Sequence, residues 1–171
     1  MSRVIAMAIG IALSQALINA AATSPGATPR NYLYGAGRVW VQHALESAIH
    51  RVQQPGCRQL FSDFSDPSGV PLSARLRESG VTPEDYLFQW MLFMYGSTEP
   101  QCRLRDTAAF TEPGGRIVYV CASRVVGPSL SHSGSGEIIL IHEMLHSLGL
   151  RENPPAPSEI TKQVIARCAN V

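Results

Sequence analysis

Residues 140–150 read LIHEMLHSLGL, and no other stretch limits the fold so strongly. Ile138, Ile141, Met144, Leu145 and Leu148 recur at helical spacing, which predicts a helix from about Ser135 to Gly149 with an apolar face. Residues four apart on a helix stack above one another, so His142 and His146 project from one face. A fold containing this helix has to bury its apolar side while giving two adjacent imidazoles something to hold.

Zinc accepts two such nitrogens readily. Glu143 lies about 100° round the helix, beside a metal rather than on it. There a carboxylate takes a proton from water at the metal and passes it to a leaving amine. Ligands and base are thus written within five residues.

His142-Glu143-Met144-Leu145-His146-Ser147-Leu148-Gly149 resembles the active-site helix of the zincin metallopeptidases, and Gly149 is similar to the metzincin extension. The resemblance implies one catalytic zinc, a peptide or protein substrate, and a chain reversal at Gly149 that brings in a third ligand. The matching position holds Glu152, where metzincins carry His or Asp. No Met follows Met144, so the Met-containing turn of metzincins is missing. The gluzincin pattern instead takes a Glu from a following helix, for which Glu159 is the alternative. Glu159 also suits the first turn of a helix for dipole reasons alone. Glu152 is the first choice, because three protein ligands leave one zinc position open for water. In zincins an edge strand beside the helix pairs with the extended peptide, and Arg116 to Cys121 is the expected strand here.

The remaining chain fits an exported protein. Residues 1–22 carry Arg3, an apolar run from Val4 to about Leu17, and small residues at Ala20, Ala21 and Ala22, the layout of a signal peptide. Removing them leaves 13 basic against 13 acidic residues. With no basic cluster, nucleic acid is not an expected partner, nor is stable membrane association after cleavage. The expectation is a secreted or periplasmic monomer. Cys57, Cys102, Cys121 and Cys168 all lie beyond the cleavage point, which predicts two disulfides with three possible pairings.

A flexible lead (23–31) precedes one zincin-like α+β domain (32–171). A long helix is expected over Tyr32 to Gln54, carrying His43 and His50 two turns apart on one face. Next come a short strand around Leu60-Phe61 and a turn at FSDFSDPSG, whose Asp spacing does not match an EF-hand. VTPEDYLFQWMLFMYG opens with Thr82 as N-cap and Pro83 at the first helical position, predicting a helix to Gly96. A hairpin turns at Glu112-Pro-Gly-Gly with Ile117 to Val120 as a strand, and a short helix from Ser158 to Ala169 ends the order. The Ser/Gly loop 127–136, with His132, is expected to be a connection, and Tyr119 a core residue rather than an oxyanion donor.

The sequence therefore points to an exported zinc metallopeptidase with His142, His146 and a glutamate as ligands and Glu143 as general base. Two alternatives carry other work: a non-catalytic binding module on the same shape, and a zinc hydrolase of a non-peptide, cell-wall amide. Coordination by both Glu152 and Glu159 would close the metal and favour the binding module.

Overall fold

The computed structural model describes residues 28–125 and 136–169. The expected signal peptide, most of the expected lead and the loop with His132 lie outside the described residues. Within them the fold is α+β: helices surround a small mixed sheet.

Helix α1 (Gly35–Val52) buries Val41, Ala44, Leu45, Ala48 and Val52 along one stripe and leaves His43 and His50 exposed. Its partner is α6 (Gly136–Ser147), the central helix, which is buried on nearly every side. A helix that is apolar almost all round can sit only inside a fold. The two helices approach closely at Gly136. A Cβ there would lie 2.8 Å from Ala44 Cβ and 3.0 Å from the Trp40 ring, so a side chain would push them apart.

The segment expected as a strand at Leu60-Phe61 is instead helix α2 (Pro55–Asp63). Pro55, expected to end the first helix, opens the second at its first position, where a missing N–H costs nothing. Cys57, Leu60 and Phe61 are buried together at helical spacing. The following Asp-rich turn is held within itself. Asp66 Oδ1 accepts from the Ser68 N–H (2.9 Å), the Ser68 hydroxyl (2.7 Å) and the Val70 N–H (3.0 Å), and Arg75 Nε donates to Oδ2 at 2.7 Å. Arg75 comes from α3 (Leu72–Glu78).

The helix expected over residues 82–96 is cut short. Thr82 caps α4 (Pro83–Asp85) by accepting from Asp85 N. The chain widens into a π-helical turn at Tyr86–Trp90, then extends as β1 (Leu92–Tyr95). Pairing explains the switch: β1 lies parallel to β3 (Ile117–Val120), with Phe93 beside Val118 inside the core. Ladder bonds and burial override a helix propensity that is weak for aromatic residues. β2 (Ala109–Thr111) pairs antiparallel with β3 across the predicted turn, where Gly115 N donates to Glu112 O at 2.7 Å.

The sheet order is β1-β3-β2. The strand expected at the edge, Arg116 to Cys121, therefore supplies the centre, because β1 returns to its far side. The edges are β1 and β2. Asn31 bridges Phe93 along β1, while β2 has no partner strand on its outer side among the described residues.

A short helix α5 (Ala122–Val125) leads out of the sheet. After α6 the chain reverses into α7 (Pro157–Cys168), which buries Ile160, Val164 and Cys168. Disulfide Cys57–Cys168 ties α7 to α2, and Cys102–Cys121 ties the loop before β2 to the end of β3. Both expected disulfides are present.

Candidate metal centre

The end of α6 assembles the site. Gly149 has φ +110°, a conformation L side chains rarely adopt. Gly149 N donates to His146 O at 2.8 Å and Leu150 N to Leu145 O at 3.0 Å, so the final carbonyls of the helix are satisfied by a Schellman-type reversal. The same turn brings the Leu150 carbonyl back over the His146 ring and carries the chain toward Glu152.

His142, His146 and Glu152 converge. Nε2 of His142 lies 3.0 Å from Nε2 of His146, and Glu152 Oε1 lies 3.3 Å from His146 Nε2 and 3.9 Å from His142 Nε2. Ligands about 2.0–2.1 Å from a tetrahedral zinc are roughly 3.3 Å apart, so the three atoms surround a position that one ion fits. This group could hold a metal ion. Glu159 stands exposed in the first turn of α7, outside it.

The outer ring nitrogens are engaged as well. His146 Nδ1 lies 2.8 Å from the Leu150 carbonyl. A carbonyl only accepts, so the proton sits on Nδ1 and the Nε2 lone pair is left for a cation. His142 Nδ1 lies 2.9 Å from the Thr161 hydroxyl on α7. A hydroxyl can take either role, and with a cation at Nε2 it accepts from the ring. Burial, with His146 alongside, holds the His142 imidazole far below its ordinary range, at about 3. The ring is neutral, the state a ligand requires.

Glu143 is buried beside this group, and its Oε2 has no hydrogen-bond partner among the described residues. Burial pushes its carboxyl up to about 8. The neighbouring Thr111 hydroxyl opposes that shift, and the charge of Glu152 adds to it. Thr111 Oγ1, on β2, is also buried and unpaired. A cation between the imidazoles would favour the carboxylate form of Glu143 and reverse this balance.

A cleft of about 710 Å³ is lined by His142, Glu143, His146, Glu152 and Thr161 together with β2 and its preceding loop. No protein-family model, curated protein or solved structure matches this chain.

Three contributors carry no signature in the sequence. Thr161 and Thr111 are single hydroxyls on elements far from the helix in the chain, and the Leu150 contact is made by main chain. Tyr119, expected in the core, is instead only partly buried on the outer face of the sheet, stacked on Phe110, because the alternation along β3 gives the core face to Val118 and Val120.

Proposed function

We propose that the protein is an exported zinc-dependent metallopeptidase with His142, His146 and Glu152 as ligands and Glu143 as general base. One observation carries the reading. Three candidate ligand atoms mutually 3.0 to 3.9 Å apart line an open cleft, beside a buried carboxyl whose Oε2 has no hydrogen-bond partner among the described residues.

Zinc held there supplies a Lewis acid that activates water and polarises a carbonyl. The chain's own residues do the rest. Thr161 and the Leu150 carbonyl fix the two imidazole rings, so that both Nε2 atoms face one point. Glu143 takes the proton of the attacking water and hands it to the leaving amine. The outer edge of β2, which pairs with no strand among the described residues, runs along the cleft and offers main-chain hydrogen bonds to an extended peptide. Export is supported by the two disulfides, which persist in oxidising compartments.

The test is a peptide-library assay on the purified protein with its zinc content measured. One zinc per chain, cleavage abolished by chelation and restored by zinc, and cleavage lost in Glu143→Ala with zinc retained are the expected results. A protein that takes up no zinc at neutral pH would sink this reading.

A further inference from the structure

The face of the sheet turned away from α6 is apolar. Parallel pairing sets Met94 of β1 beside Tyr119 of β3, and antiparallel pairing sets Tyr119 beside Phe110 of β2. The Phe110 and Tyr119 rings stack at 5.0 Å with an interplanar angle of 18°. Met94 and Ile117, on this same face, are each 37% exposed. The row Met94–Tyr119–Phe110 therefore crosses the whole sheet and stops at the strand whose far edge has no partner strand among the described residues, the strand that borders the candidate metal centre.

The hydrogen-bond phase of β2 says which of its residues meet a neighbour, and how. Cys121 N donates to Ala108 O at 2.9 Å, which makes Ala108 and Cys121 a hydrogen-bonded pair. Such pairs alternate along an antiparallel ladder, so Phe110 and Tyr119 form the next one. Phe110 thus spends its main-chain groups on β3, and Ala109 and Thr111 turn theirs to the open edge. A strand added antiparallel to that edge bonds to Ala109 and Thr111. It faces Phe110 in a non-hydrogen-bonded pair, the kind in which Cα atoms lie only about 4.5 Å apart and side chains touch most closely.

We infer that Phe110 selects the peptide: the residue opposite it is aromatic or large and aliphatic, and its side chain continues the row Met94–Tyr119–Phe110. The inference rests on the proposed reading of the cleft as a peptide site. A glycine at that position leaves the free side of the Phe110 ring in water. A charged residue has to shed water against an apolar face. Neighbouring peptide residues turn the other way, toward Thr111 and α6, so the preference belongs to one position only.

The test uses zinc-loaded Glu143→Ala protein and extended peptides identical except at one position, scanned in turn with Phe, Leu, Gly, Asp and Lys. Binding is read by fluorescence anisotropy, and kcat/KM is read on the same peptides with Glu143 intact. One position should favour Phe or Leu over Gly by about two- to five-fold. Phe110→Thr, a good strand former, should remove that preference there alone, and Phe110→Leu should keep it. Phe110-dependent binding with no cleavage by the intact protein leaves this inference standing and ends the peptidase reading. Cleavage with no position responsive to Phe110 does the reverse. Failure of every peptide to bind, or an unchanged preference in Phe110→Thr, overturns the inference.

Discussion

His146 Nδ1 and the Leu150 carbonyl lie 2.8 Å apart, a contact made possible only by the reversal at Gly149 between them. Helix termination and the orientation of the His146 ring are therefore the same event. The turn that satisfies the last carbonyls of α6 also fixes which nitrogen of His146 is free. Gly149→Ala places a Cβ at φ +110° and 3.4 Å from Asp66 Cβ. Conformational strain of roughly 1–2 kcal/mol is expected. Because the Leu150 carbonyl shifts with the turn, zinc affinity should also fall, by about ten-fold or more. Thermal unfolding and a competitive chelator titration read the two effects. Unchanged zinc affinity alongside a lowered Tm would separate the turn from the ligand.

Glu152 and Glu159 make opposite predictions. Glu152 Oε1 is 3.3 Å from His146 Nε2, whereas Glu159 is exposed at the start of α7 and outside the converging group. Glu152→Ala should weaken zinc binding by more than about 100-fold, a larger loss than for a second-layer partner. Glu159→Ala should leave affinity within about three-fold while slightly destabilising α7 through the lost helix-dipole contact. Zinc titration of both variants decides between them, and the reverse ranking would move the third ligand to α7.

What could be read in advance follows the range of the interaction. His142, Glu143 and His146 are one turn of one helix, so their juxtaposition depends on helix geometry alone. Glu152 is picked out by the resemblance to metzincins, whose third-ligand position falls three residues past Gly149. The helix at Cys57–Phe61 was missed because a short apolar run has no decisive period, and Pro55 marks a start as well as a stop. Leu92–Tyr95 was read as helix because nothing local announces a parallel partner 25 residues on. That pairing also moved the open edge from β3 to β2. Thr161 and Thr111 reach the site through tertiary packing of α7 and β2, which no spacing encodes.

Disulfide Cys57–Cys168 closes a separation of 111 residues and anchors the helix that carries Thr161. Arg167 reinforces the same contact through Asp63 at 2.8 Å. Closing so long a loop restricts the unfolded chain, and the double variant Cys57→Ser/Cys168→Ser should lose roughly 2–5 kcal/mol. Zinc affinity should fall less than in Glu152→Ala, because α7 supplies a ring contact and no ligand. Urea unfolding with and without zinc measures both. Loss of zinc binding equal to that of Glu152→Ala, in a protein still folded, would assign α7 a larger part.

Asp66 sets an acid limit on the fold near the reversal at Gly149. The Ser68 hydroxyl, aided by Arg75 and by the Val70 and Ser68 main chain, holds its carboxyl well below the ordinary aspartate range, against an opposing effect of burial. A carboxyl whose folded value is depressed stabilises the fold above its unfolded value, and the contribution disappears as pH falls through the folded one. Asp66→Asn should therefore unfold at a lower temperature than wild type at pH 7. The gap should begin to close below about pH 4, near the ordinary aspartate value. Melting curves of both proteins from pH 7 to pH 2 test the sign. A gap that stays constant across that range would mean the turn is held by its main-chain geometry rather than by the Asp66 charge.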